Sequence, residues 1–246
     1  MYVSDKIEGR NPVYEALKSG RSIDKIYIKK GEKHGSIIPI LAMARERKIP
    51  VSQTDSHRLD EMSETGAHQG VIALCPVFEY KTVDDILSYA DERGEKPFIV
   101  ILDRIADPRN LGSVIRTAHC AGVHGIIIPK HDSAAFGAVC AKAAAGAAEY
   151  INIARVANLS KTIDYLKEKN IWITGADASG DTDLYHCDLK GAVAIVIGSE
   201  GEGISRLCLE KCDFKVKIPM FGKVNSLNAS VAAALFIYEA VRQNQK

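Results

Sequence analysis

The sequence has no run of apolar residues approaching the roughly 20 that a bilayer span requires, and Met1 to Lys6 lacks the apolar stretch of an export leader. A soluble, non-exported, cytoplasmic protein without a membrane partner is therefore expected. It also lacks C-x-x-C spacing. Its six cysteines (Cys75, Cys120, Cys140, Cys187, Cys208 and Cys212) are scattered, mostly within apolar runs, which excludes a disulfide framework and predicts reduced, buried thiols. Net charge is scarce: +1 with 26% charged residues, so no overall field draws the chain to nucleic acid, and any RNA site must come from local patches. The Gly-Lys-Ser/Thr ending of a phosphate-binding loop is missing, as is G-x-G-x-x-G after the first strand of the second half. No His/Cys cluster suggests a metal. What is present is a 46% hydrophobic composition over 246 residues, enough for one large domain or two small ones and too much for disorder.

Charge marks the organisation. Residues 1–75 hold 12 Lys/Arg against 10 Asp/Glu, residues 76–96 hold 3 against 6, and residues 97–246 hold 17 against 15. The acidic stretch 76–96, bounded by Pro76 and Pro97 and carrying a Thr82/Asp85 capping box, reads as a connector holding a short helix. Before it, helix from Asn11 to Gly20, strand at 25–28, helix at 36–48 and strand at 71–74 predict a small α/β domain over 1–75. Its stretch 21–50 holds 8 Lys/Arg against 3 Asp/Glu, with Arg21, Lys29, Lys30, Lys33 and Arg45 as candidate RNA contacts; a solvated basic face explains the same residues. Beyond the connector, continuous apolar strands at 98–102, 125–128, 171–174, 192–197 and 214–218 alternate with helical stretches such as 138–150 and 228–243. That pattern predicts a doubly wound α/β domain with a parallel sheet over 97–246.

Three loops at the carboxyl ends of these strands, the edge where such sheets bind ligands, concentrate residues a core does not need. The first runs from Asp107 to Ala118, with Asn110 as a helix N-cap and Arg116 close to two turns further on. A capped helix with an arginine at its edge accounts for it as well as a phosphate or ribose site does. The second is Gly198 to Ser205, where glycines at 198, 201 and 203 allow positive φ and close backbone approach, while Glu200 and Glu202 are poor company for a triphosphate. The third, Ile218 to Ser230, gathers Asn225, Ser226, Asn228 and Ser230, more polar residues than capping of one helix needs.

Asn110 with Arg116, the Gly198–Gly203 loop and the Ile218-Pro-Met to Ser226-Leu-Asn-Ala-Ser230 segment, in that order, resemble the three motifs of the SpoU (TrmH-type) RNA 2′-O-ribose methyltransferases over about 150 residues. The basic N-terminal segment resembles the ribosomal-protein-like substrate-binding domain of the branch that methylates a guanosine of 23S rRNA. This likeness implies a trefoil knot in the parallel-sheet domain, which general topology rules would not suggest, and S-adenosylmethionine (AdoMet) bound in it. It implies cofactor contacts at Thr174, Gly175, Gly198, Gly201, Ile218, Met220, Ser226 and Leu227, and catalysis by Arg116 with Asn110, Glu200, Ser226 and Asn228 around it, without a metal. It also implies a homodimer with the site at the interface and the last helix (Val231, Ala232, Ala233, Leu235, Phe236) contributing. Against it stand a tRNA substrate within the same reaction and a non-catalytic RNA-binding or ribosome-assembly protein on the same scaffold.

Overall fold

Alternation of apolar and polar residues sets the first sheet. In the computed structural model, which describes residues 5–32, 35–63, 65–75, 78–223 and 226–244, the chain divides into two units, Met1–Glu79 and Tyr80–Lys246. In the first, β1 (Asp5–Glu8), α1 (Arg10–Lys18), β2 (Lys25–Lys29), α2 (Ile37–Glu46), β3 (Val51–Thr54), α3 (Ser56–Met62) and β4 (Val71–Cys75) follow in order. The sheet order is β1-β4-β2-β3, with β4 antiparallel to β1 and β2, and β3 parallel to β2. Ile26 and Ile28 are buried and meet Val13 and Leu17 of α1 and Ile37 and Ile40 of α2 in one core. The strands that patterning does not reveal, β1 and β3, are the two edges, where side chains need not be apolar. Arg47, part of the basic stretch, is spent internally: its guanidinium donates to the carbonyls of Leu17 (2.9 Å), Gly20 (3.0 Å) and Arg21 (2.9 Å), closing the end of α1.

The second unit runs α4 (Val83–Glu92), β5 (Phe98–Leu102), α5 (Pro108–Cys120), β6 (Gly125–Pro129), α6 (Ala138–Ala144), β7 (Asn152–Val156), α7 (Leu159–Glu168), β8 (Trp172–Ala176), β9 (Thr182–Asp183), β10 (Val193–Ile197), α8 (Arg206–Lys211), β11 (Phe214–Lys217) and α9 (Ala229–Asn244). Every strand pair is parallel, in the order β7-β6-β5-β10-β8-β11-β9. Ile99, Ile101, Ile127, Ala194 and Val196 are fully buried and share a core with Ile163 and Leu166 of α7; burying each large aliphatic side chain contributes about 1.5–3 kcal/mol. Because β10 sits between β5 and β8, the loops after these three strands and after β11 share one edge, where the chain direction of winding reverses. Among the described residues no helix is long and apolar enough to cross a membrane.

Two expectations need correction. The stretch 76–96 is not a free connector: residues from Tyr80 onward belong to the second unit, and α4 buries Ile86 and Ala90, with Ile86 lying where a Cβ on Gly125 would sit. Its capping box is present, Thr82 and Asp85 each serving the other's backbone N–H. The helix expected over 138–150 stops at Ala144, because Ala145 (φ 49°) and Gly146 (φ 86°) turn left-handed and a short 3-10 turn, Ala147–Glu149, follows. Pro76 and Asn225 lie outside the described residues.

Candidate active site

The loop after β10 is shaped by a steric demand. A Cβ on Gly198 would lie 2.0 Å from the carbonyl carbon of Gly203, so only glycine lets the loop close on itself. It closes through paired hydrogen bonds, Ser199 N–H to Gly203 O (3.1 Å) and Gly203 N–H to Ser199 O (3.0 Å), with Gly203 at φ 66°. Gly201 meets nothing and adopts no positive φ. Two residues that motif reading missed brace this loop. Asp103, buried at the end of β5, accepts the Ser205 N–H at 2.6 Å, and Arg104, at φ 59°, pairs with Glu202. Their signal in the sequence is faint, a single Asp-Arg after an apolar strand.

Glu200, exposed at the tip of this loop, is the hub of a cluster drawn from all three motifs. Its Oε1 accepts from the Asn110 carboxamide (2.8 Å), the Asn228 carboxamide (2.6 Å) and the Ala229 backbone N–H (3.3 Å). Asn228 also donates to Asn110 Oδ1 at 3.0 Å. The Asn228 oxygen in turn accepts from Ser230 N–H (2.9 Å), Ser230 Oγ (2.6 Å) and Val231 N–H (3.3 Å), so of the two residues able to cap α9, Ser226 and Asn228, it is Asn228 that does. The carboxylate thus sits at the N-terminus of a 16-residue helix, where the macrodipole favours negative charge. Asn110 is not the cap of α5. Asp107 is, accepting the Arg109 N–H at 2.8 Å, and this frees the Asn110 side chain for Glu200.

Arg116 stands apart. Six residues along α5 turn it about 240° around the helix axis from Asn110, and among the described residues its exposed guanidinium forms no hydrogen bond or ion pair. Among the described residues the cluster therefore holds a fixed anion through neutral donors alone.

Beside the cluster lies a cavity of about 430 Å3, of ligand size, walled by the Gly198–Gly203 loop, Ile218, Met220, Ser226, Leu227 and the start of α9 at Ala229, Ala232 and Phe236. Ala176 at the end of β8 and Asp177 to Ser179 after it close another side, with Asp177 accepting the Ser179 N–H at 2.9 Å. Six positions expected to contact a cofactor line it: Gly198, Gly201, Ile218, Met220, Ser226 and Leu227. Thr174 and Gly175 do not. Thr174 is fully buried with its hydroxyl unpartnered, and a Cβ on Gly175 would meet Cys212 Sγ at 2.8 Å, so both serve strand packing one step before the wall. Among the described residues the lining includes Asp177, Glu200 and Glu202 and no lysine or arginine, which suits a cationic ligand with apolar parts and repels a polyphosphate.

Of the basic candidates in the first unit, Arg21, Lys29, Lys30 and Arg45 are exposed, and Lys33 lies outside the described residues.

Comparison with known proteins covers both units of the chain. The model of the SpoU rRNA methylase family matches residues 97–238, and that of the RNA 2′-O ribose methyltransferase substrate-binding domain matches residues 6–81. A Bacillus subtilis strain 168 protein named as a TrmH-family tRNA/rRNA methyltransferase, YacO, is 45% identical over 239 residues, covering 97% of this chain and 96% of its own. A Staphylococcus haemolyticus protein named for the same family is 46% identical over 240 residues, covering 98% and 96%. Among solved structures, the SpoU methyltransferase AviRb from Streptomyces viridochromogenes in complex with AdoMet superposes with a TM-score of 0.62 at 27% identity, covering 98% of this chain and 90% of that one.

Proposed function

Since the chain belongs to the SpoU rRNA methylase family and is an RNA methyltransferase, we propose that it transfers a methyl group from AdoMet to a ribose 2′-hydroxyl of 23S rRNA, most specifically of a guanosine, in the cytoplasm and as a homodimer. The observation that carries this reading is the acidic cavity, walled in part by Asp177, Glu200 and Glu202, beside the Asn110–Glu200–Asn228 cluster. When bound, AdoMet supplies an electrophilic methyl on a cationic sulfonium. Ile218, Met220 and Leu227 suit its apolar parts, and the nearby carboxylates suit its positive charge.

A ribose hydroxyl is a weak nucleophile and must be aligned and relieved of its proton. Glu200, held by three N–H donors, orients the carboxamides of Asn110 and Asn228 at the mouth of the cavity. Ser226, exposed in the cavity wall, meets the ribose in this reading. Arg116 supplies the missing positive charge, holding the adjacent phosphate and stabilising the alkoxide as it forms. Its outward position supports a site completed by a second copy, and so do the half-exposed Val231 and Tyr238 on α9. The trefoil knot belongs to the same reading. It is supported by β10 inserting between the earlier strands β5 and β8, and by Asn228 and Ala229 lying against the Gly198–Gly203 loop.

The test is to map 2′-O-methyl groups in rRNA and tRNA from a deletion strain and from one carrying the gene back. One rRNA guanosine that loses its methyl and regains it is the expected result. Loss in tRNA alone would move the substrate to that class, and no loss in either would refute the assignment.

A further inference from the structure

The first unit carries a cavity of its own, of about 430 Å3, lined by Arg10, Lys29, Glu32, Ser56, Gln69 and Gly70. Its walls are held in one arrangement. The Arg10 guanidinium donates through Nη2 to Glu32 Oε2 (2.8 Å) and through Nε to the Gln69 carbonyl (3.0 Å), which fixes its plane on two edges. Gln69 Oε1 accepts the Arg10 backbone N–H at 3.2 Å. Behind them Gly70 N–H donates to Nδ1 of the buried His68 at 3.0 Å. That leaves the ring hydrogen on Nε2, which donates to Asp60 Oδ1 at 2.9 Å. Gln69 and Gly70 both lie in the left-handed region (φ 50° and 81°), so the turn that forms the wall is strained at a non-glycine residue and kept there by these contacts. Lys29 is exposed at the rim, and among the described residues its ammonium has no carboxylate partner.

We propose that this cavity takes one unstacked nucleotide of the RNA substrate, other than the one methylated, and reads it as guanine. The inference rests on the chain acting on RNA through its first unit. A guanidinium locked in plane offers a face on which a base stacks. Glu32 offers a carboxylate that only accepts, and guanine is the base that presents two neighbouring donors, N1–H and the N2 amino group, on its pairing edge. Uracil presents one N–H between two carbonyls, and adenine and cytosine would turn a ring acceptor toward the carboxylate. Lys29 takes the phosphate as a point charge.

The experiment uses the full chain and hairpin RNAs with randomised loops, selected by binding and then measured singly. The parent should enrich one loop guanine. Glu32→Gln should erase that preference and weaken binding of the selected hairpin about tenfold or more, the scale of a lost bidentate base contact. Ser56→Phe, which fills the cavity from its rim and leaves the Arg10–Glu32 pair intact, should do the same. Lys29→Ala, at an exposed side chain, should weaken all sequences alike and flatten the salt dependence. AdoMet affinity should match the parent in all three, and the thermal melt should match it in Ser56→Phe and Lys29→Ala, which leave the Arg10–Glu32 pair in place. Selection without base preference overturns the inference, as does parental affinity in Glu32→Gln and Ser56→Phe; in either case methylation by the parent persists and the proposed function stands. A parent that neither binds nor methylates RNA would refute both.

Discussion

Gly198 has no room for a side chain, and its consequence is measurable: Gly198→Ala should push the Ser199–Gly203 bridge apart and lower AdoMet affinity at least tenfold in calorimetry, with an overpacking cost of about 1–3 kcal/mol. Arg116→Ala should leave AdoMet binding and the melt near the parent's while cutting single-turnover methyl transfer by about 10²-fold or more. Arg116→Lys should restore little, since a point charge lacks the planar fork. Near-parental rates would return Arg116 to an ordinary surface residue. Thiol chemistry divides the same way. Burial pushes the Cys140 and Cys212 thiols up to about 12, whereas Cys120 is exposed, so native-state alkylation followed by mass spectrometry should label Cys120 and spare those two until the chain unfolds. At this scale the three motifs were legible because Asn110, Glu200 and Asn228 have no place in a core. Their bonding was not, since Asp107 and Asn110 are equally good caps and only the fold decides which one is free to reach Glu200.

Helix α4 shows what an acidic, capped segment contributes. Asp85 is held below the usual carboxylate range, first by the Thr82 backbone N–H and then by the Thr82 hydroxyl. A carboxyl whose folded value is depressed stabilises the fold above its unfolded value and loses that contribution as pH falls through the folded one. In chemical denaturation from neutral pH to about pH 3, the stability gap between the parent and Asp85→Ala should therefore be widest at neutral pH and close below 3.8, the ordinary value for this group. A gap that persists at the acid end would mean the cap acts without its charge. The capping box was legible because its two residues are three apart, a local relation. The destination of the helix was not. That Ile86 fills the space above Gly125 is a contact between residues 39 apart, which periodicity cannot carry. Nor could it carry β7, an edge strand with Asn152 and Arg155 on it, or the left-handed break after α6 at an alanine.

The whole chain behaves as two units whose border lies at Glu79 and Tyr80. A fragment of residues 80–246 should fold and bind AdoMet with near-parental affinity, whereas one of residues 97–246, cut after the acidic stretch, should melt several degrees lower because Ile86 and Ala90 leave the core. Equal melts would make α4 an appendage. The parallel sheet also fixes when the site can exist. Its wall joins the loop after β8, the Gly198–Gly203 loop and the start of α9, and Glu200 is bridged to Asn110 on one side and Ala229 on the other. During synthesis, which delivers the N-terminal residues first, the first unit is complete and exposed long before residue 229 has been made. On the proposed function, a nascent or truncated chain would thus meet RNA before it has a methyl donor site, and acquisition of AdoMet would mark the moment at which the last helix has docked.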